Sequence, residues 1–273
     1  MRESHYLKEK AYYDGWIVNQ IRDWLFMNPR QRGAVEAALS TNQGNTCRAI
    51  EFGSGIGVCG ELFSKETNCR ITSVDLSTEL IKVGNRLFGN SNHDYFHGNL
   101  KDMIQELERG VDIILLVDVL EHIRRPDWDG LFEKFRRVLS KQGQIFISTP
   151  TPWYQNFLKE HQPDGLQPVD LSIEKEEVKA IGERIGLQLI RHEVVNIYRE
   201  GDYQYFWLAP SGQKFERKNL HKDGLWRRHW LLMQKWPQMY TKAFSIKLLW
   251  VAVKSILRGG RKIISRDQMG AAL

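Results

Sequence analysis

Gly53, Gly55 and Gly57 stand at alternate positions directly after the short run Arg48-Ala49-Ile50-Glu51-Phe52 and directly before Val58 to Ser64. The first run reads as a strand and the second as the opening of a helix, so the glycines form a strand-to-helix turn. Glycine has no Cβ, which lets the backbone turn sharply and approach a ligand closely. The helix that follows offers free N–H groups and a positive dipole end, where a carboxylate is stabilised. The next strand, Arg70 to Val74, ends at Asp75, close to the roughly 20-residue spacing at which an acid meets ribose hydroxyls.

Strand and helix keep alternating. Ser77 is placed to cap a helix running to about Phe88, and Tyr95-Phe96-His97 reads as a weak third strand. Val111 to Val117 is nearly all apolar, as for a strand buried on both faces. Trp128 to Leu139 reads as a helix, Gly143 as the turn after it and Gln144 to Ser148 as a strand. Ile173 to Ile185 is a further helix, followed by strands at Leu187 to Val194 and Tyr203 to Leu208. This order predicts an α/β fold with a mostly parallel sheet and helices on both faces. Such sheets bind ligands at the carboxyl ends of their strands, and the candidate residues sit at those ends.

Upstream, Tyr12, Tyr13, Trp16, Ile17, Ile21, Trp24 and Leu25 recur at helical spacing. A second helix is expected from Asn28-Pro29, with Asn as cap and Pro in the first turn, to about Leu39. The chain divides into an N-terminal helical cap (1–45), a Rossmann-like domain (46–210) and a C-terminal extension (211–273).

The net charge of +6 is unevenly spread: residues 1–210 carry 25 Lys and Arg against 30 Asp and Glu, and residues 211–273 carry 14 against 3. The main body therefore offers no basic surface for nucleic acid. The extension is rich in tryptophan (Trp226, Trp230, Trp236, Trp250), and Ala243 to Leu257 is mostly apolar, with Lys247 and Lys254 one heptad apart. It is too short and interrupted for a membrane span. It reads as a basic helical segment that contacts a membrane surface through residues 241–266, with packing on the main domain, dimerisation or RNA binding as alternatives. No signal peptide is read at the N-terminus. Cys47, Cys59 and Cys69 lack paired metal-ligand spacing and read as reduced thiols of a cytoplasmic protein. No oligomeric state follows.

Gly55-Ile56-Gly57-Val58-Cys59-Gly60 also fits the dinucleotide fingerprint, so an NAD-dependent oxidoreductase is a rival reading. Five motifs in order favour another family. Ala49 to Gly57 resembles the first motif of the class I S-adenosylmethionine-dependent methyltransferases, an acid followed by G-x-G-x-G. Val74-Asp75 is similar to their ribose-binding acid, and His97-Gly98-Asn99-Leu100 to their adenine-contacting segment. Val117-Asp118-Val119-Leu120-Glu121-His122-Ile123 resembles the motif after strand four, and Val138 to Gln144 the turn into strand five. The likeness spans residues 47–194 and leans towards the ubiquinone-biosynthesis O-methyltransferase-like subgroup.

That resemblance implies a seven-stranded Rossmann-like methyltransferase fold with S-adenosylmethionine as cofactor. Glu51, Gly53, Gly55 and Gly57 would hold its methionine end and Asp75 its ribose hydroxyls. Leu76, Asn99, Leu100 and Asp118 would complete the cofactor site. The family often has Asp where Asn99 stands. An amide still pairs with the adenine edge.

Asp118, Glu121 and His122 share a face if the chain turns helical after strand four. These are the candidate catalytic residues. Methyl transfer is a direct displacement in which alignment of the reactants lowers the barrier by several kcal/mol, up to roughly 7–11. For a hydroxyl acceptor, neutral His122 suits the role of base. In the quinone-methylating relatives the corresponding residues are implicated in divalent-metal binding, so a metal is an alternative, as is a purely structural cluster; no metal ligand is assigned. Proline after strand five is expected to set a loop over the pocket, with Trp153, Tyr154 and His161 as substrate contacts or as a self-packed lid. The expected activity is O-methylation of a small-molecule or lipid-linked acceptor, such as a quinone precursor or a surface-glycan intermediate. A non-catalytic cofactor-binding scaffold of the same fold is the alternative from another class. Nucleic acid is disfavoured because Asp118-Val119-Leu120-Glu121 stands where base methyltransferases often carry Asn/Asp-Pro-Pro-aromatic.

Overall fold

A computed structural model describes residues 12–41, 48–98, 109–163, 166–212, 220 and 223–239, together with Trp250 and Lys254. Among the described residues seven strands make one sheet: β1 (Arg48–Phe52), β2 (Arg70–Asp75), β3 (His93–His97), β4 (Val111–Val117), β5 (Leu139–Pro150), β6 (Gln188–Val195) and β7 (Tyr203–Ala209). Their order is β3-β2-β1-β4-β5-β7-β6. All neighbours are parallel except β7, which is antiparallel to both β5 and β6. The helices are α1 (Ile17–Leu25), α2 (Pro29–Ala38), α3 (Val58–Thr67), α4 (Thr78–Phe88), α5 (Arg125–Val138), α6 (Pro152–His161), α7 (Lys175–Arg184) and α8 (Leu225–Met239). The fold is therefore the Rossmann-like, mostly parallel α/β arrangement expected.

β4 is central because it is apolar on both faces. Ile114 and Leu116 join one core with Phe132, Phe135 and Ile181 of α5 and α7. Ile113 and Leu115 face the other way, onto Val35 and Phe63 of α2 and α3. This is the two-residue period of a strand. A third cluster joins Ile21 and Leu25 of α1, Leu80 and Leu87 of α4 and Leu232 of α8, so the N-terminal cap and the start of the extension pack on one another.

Local chemistry sets the helix starts. The Asn28 side chain accepts from the Arg30 N–H at 2.9 Å with Pro29 in the first turn, and Ser77 Oγ accepts from the Leu80 N–H at 3.1 Å. Three expectations need correction. Gly143 is not a turn: β5 already begins at Leu139, and the register passes from Val111↔Leu139 to Ile113↔Gln144 across an irregularity. A Cβ at Gly143 would lie 2.7 Å from the Val111 carbonyl, so glycine there permits close backbone approach. The segment after β5 is not a loop but α6, capped by Thr151 Oγ1 on the Tyr154 N–H with Pro152 in the first turn. Finally, Cys59 is a free buried thiol but Cys69 is disulfide-bonded, which overturns the reduced-thiol reading for Cys69. No helix among the described residues is long and apolar enough to cross a membrane.

Candidate active site

A cavity of about 1230 Å³ lies over the carboxyl ends of β1, β2, β4 and β5 and the start of β7. Ligand pockets usually measure roughly 300–1,000 Å³, so this one has room for two molecules side by side. Tyr13, Trp16 and Gln20 from the N-terminal helical segment cover it from one side; α6 and residues 166–170 cover it from the other. Tyr13 OH donates to Gln167 Oε1 at 2.8 Å and joins the two covers.

Under the first cover lies the glycine turn. Gly53, Gly55 and Gly57 have φ of 66°, 58° and 82°, in the left-handed region that favours glycine. A Cβ at Gly53 would meet Val119 Cγ2 at 2.6 Å, and one at Gly55 would meet Gln20 Cδ at 2.8 Å. Gly53 and Gly55 line the cavity, whereas Gly57 caps α3 and faces the Tyr95 ring outside it. Asp75 Oδ2 accepts from the Gly55 N–H and Oδ1 from the Ser77 N–H, both at 2.8 Å. Burial pushes its carboxyl up to about 6, against the pull of these bonds. Glu51 lines the cavity floor with Oε2 accepting from the Gly60 N–H at 2.9 Å and from Ser73 Oγ at 2.8 Å. Burial pushes this carboxyl up to about 7. Leu76 also lines the cavity. Asn99 and Leu100 lie outside the described residues.

Asp118, Glu121 and His122 all line the cavity, in three different settings. Asp118, with φ 57°, pairs with Arg30 Nε of α2 at 2.7 Å, and Arg30 Nη1 donates to Tyr203 OH at 3.3 Å. Glu121 is 1% exposed, and its Oε2 has no hydrogen-bond partner among the described residues. Burial, and then the neighbouring Asp118, hold its carboxyl well above the ordinary range, which favours the neutral acid. His122 sits in a single 3₁₀ turn, Leu120–His122, and its Nδ1 lies 2.8 Å from the Val169 carbonyl. A carbonyl oxygen only accepts, so Nδ1 carries the proton and Nε2 keeps its lone pair. Burial lowers the imidazole below its ordinary range and keeps it neutral. Among the described residues no group of three His, Cys, Asp or Glu side chains is placed to hold a metal ion.

Trp153, Tyr154 and His161 do not line the cavity. Trp153 and His161 stack on Phe157 between them, at ring-centroid distances of 6.0 and 4.4 Å. The self-packed alternative is therefore the one observed. Sequence reasoning missed Arg30, Gln20, Gln31 and Gln155, all of which line the cavity. They sit on helices with no local motif to mark them.

A family described as "Methyltransferase domain" matches residues 24–207, from α1 to β7. The chain belongs to this methyltransferase family. Structural neighbours share the fold at low identity. A SAM-dependent methyltransferase from Archaeoglobus fulgidus has TM-score 0.53 and 16% identity, covering 65% of this chain and 94% of that one. A 1,6-didemethyltoxoflavin-N1-methyltransferase from Burkholderia thailandensis, solved with that acceptor and S-adenosylhomocysteine, has TM-score 0.58 and 17% identity, covering 77% and 89%. An O-methyltransferase family protein from the same organism has TM-score 0.60 and 14% identity, covering 77% and 63%. None of the curated proteins compared matches the chain.

The methyltransferase uses S-adenosylmethionine, and the residues present fit it. The glycine cradle faces the cavity with no room for a Cβ at Gly53 or Gly55. Asp75 stands at the end of the next strand on the same rim, and Gln20 Oε1, beside Gly55, is buried without a partner among the described residues. The neighbours are named for different acceptor atoms, so the family alone leaves the acceptor open.

Proposed function

We propose that this methyltransferase methylates a hydroxyl oxygen of a small-molecule or lipid-linked acceptor, with His122 as the base. One observation carries the reading: the Val169 carbonyl fixes the proton on Nδ1, so a neutral imidazole keeps a basic Nε2 in a side chain that lines the cavity. When bound, the cofactor supplies an electrophilic methyl group on a sulfonium. His122 Nε2 takes the hydroxyl proton as the oxygen gains the methyl group. Asp75 is assigned to the ribose hydroxyls, Glu51 and the glycine turn to the methionine end, and Leu76, Asn99 and Leu100 to the adenine side. Asp118 supports the site through Arg30 and has no assigned contact with the reacting atoms.

The experiment is transfer of labelled methyl from S-adenosylmethionine into cell extract, wild type against His122→Ala, with S-adenosylhomocysteine affinity measured beside it. Removing a general base costs roughly 10²–10⁴ in rate. Affinity should stay within a few-fold. For wild type the acid limb of the rate profile should fall below pH 6.5, where a base with a lowered pKa loses its lone pair. Normal turnover in the variant removes His122 from the chemistry.

A membrane-surface location is part of the proposal. Residues 241–266 are outside the described residues apart from Trp250 and Lys254, whose ammonium lies 3.3 Å from the Trp250 ring centroid. Trp226, Trp230 and Met233 of α8 are 74, 62 and 50% exposed at helical spacing, which adds an apolar stripe next to a basic segment. The division at residues 45 and 210 belongs to the same proposal.

A further inference from the structure

The strand order separates the cavity into halves. The glycine turn and Asp75 belong to β1 and β2, on one side of β4; Pro150 and Tyr203 belong to β5 and β7, on the other. If the first half holds the cofactor, the second is left for the acceptor. This inference rests on that reading.

Buried polar groups around the cavity have no partner among the described residues. Gln155 is 1% exposed and its Nε2 has no partner among the described residues. The same is true of Gln31 Oε1, in a residue 8% exposed, and of Glu121 Oε2. All three residues line the cavity. Buried polar groups are nearly always hydrogen-bonded, so orphans that line a cavity can be met by a ligand's own polar groups. Arg30 is held by Asp118 at 2.7 Å. An anionic acceptor would find no free cation in that pair. A flat hydrocarbon ring would leave all three groups unpaired. Amides and a carboxyl together offer donors and acceptors, as a molecule with several hydroxyls requires.

We infer that the acceptor is a neutral polyhydroxylated ring of the sugar class, bound through its hydroxyls by Gln31, Glu121 and Gln155. One of its hydroxyls is the methylated group; the others give the affinity. A site built to bond hydroxyls rejects analogues that lack them by as much as roughly 10⁴–10⁵-fold.

The test uses the full chain saturated with S-adenosylhomocysteine. Methyl glycosides of hexoses and 6-deoxyhexoses are titrated by saturation-transfer NMR, beside catechol and 4-hydroxybenzoate. Wild type, Gln31→Leu and Gln155→Leu are compared, with the melting temperature of each ligand-free protein. Glycosides should bind more tightly than the phenols. Each variant should lose roughly tenfold or more in glycoside affinity. Affinity for S-adenosylhomocysteine should stay within twofold, and neither variant should melt several degrees lower than wild type, because the atoms Gln31 Oε1 and Gln155 Nε2 have no partner among the described residues. The inference is overturned if no glycoside binds, if the phenols bind more tightly, or if the variants melt several degrees lower with glycoside affinity intact. Failure of wild type to bind S-adenosylhomocysteine would instead sink the cofactor reading beneath it.

Discussion

Replacing Arg30 by methionine tests whether Asp118 is a structural partner or a working carboxylate. The ion pair measures 2.7 Å, with the side chains 22% and 11% exposed. At an effective dielectric constant of about 20 the gross attraction is about 6 kcal/mol. Desolvation offsets much of it. Truncating one member of a buried pair still costs about 3–5 kcal/mol, because the other charge is stranded. The guanidinium keeps about a fifth of its exposure, so the low end applies, about 3 kcal/mol for Arg30→Met. In a chain of this size that lowers the melting temperature by roughly 6–12 °C. Asp118→Asn on the Arg30→Met background removes the stranded charge and should restore about 2 kcal/mol. The assay is urea unfolding of wild type, both single variants and the double variant, read as a coupling energy. The S-adenosylhomocysteine affinity of Asp118→Asn separates the two roles. Additive single effects within about 0.5 kcal/mol, or a large affinity loss in Asp118→Asn with unchanged stability, would refute the reasoning.

Other outcomes follow from the same site. If Asp75 accepts from both ribose hydroxyls as proposed, Asp75→Ala removes two charge-assisted bonds at about 1.5–3 kcal/mol each, so calorimetry should show S-adenosylhomocysteine affinity falling roughly 100-fold or more; a change under threefold would contradict the assignment. Glu51 titrates at about 7 in the native protein against an ordinary 4.5. A raised acid favours the native state fully below pH 4.5 and loses that contribution as pH rises through 7, a difference of about 3 kcal/mol. Glu51→Gln should therefore flatten the decline in unfolding free energy between pH 5 and pH 8, and an unchanged decline would show that Glu51 is not the titrating group. Deleting residues 241–273 should abolish co-sedimentation with anionic liposomes; equal sedimentation of the truncated and full chains would end the membrane proposal.

The parts legible in the sequence were those governed by local chemistry. β1 and β4 fall where their apolar runs predict, and Asn28 and Ser77 cap their helices as read. The same kind of signal was present at Thr151-Pro152, a cap followed by proline, and could have revealed α6. Gly143 misled because glycine serves close backbone packing as well as turns, and only the partner strand distinguishes them. The Arg30–Asp118 pair had no local trace: it joins α2 to the end of β4 across 88 positions, and only the folded sheet brings them together. The cavity-lining amides were unreadable for the same reason, since an orphaned Gln155 Nε2 exists only once its surroundings are packed. The reversal of β7 was hidden because strand direction is not written in a strand's own residues.

That reversal gives one wall of the cavity a different origin from the rest. The parallel strands reach the rim with their last residues, whereas β7 reaches it with its first, Tyr203. The turn feeding it is folded around Asp202, whose carboxylate accepts the N–H groups of Ile197, Tyr198 and Arg199 at 2.7–3.0 Å. Gly201 and Asp202 in turn receive Thr151, through the hydroxyl and the backbone N–H. A descendant of this chain could lengthen or redraw that hairpin bend and reshape what the enzyme accepts, while the machinery over β1 and β2 stayed as inherited.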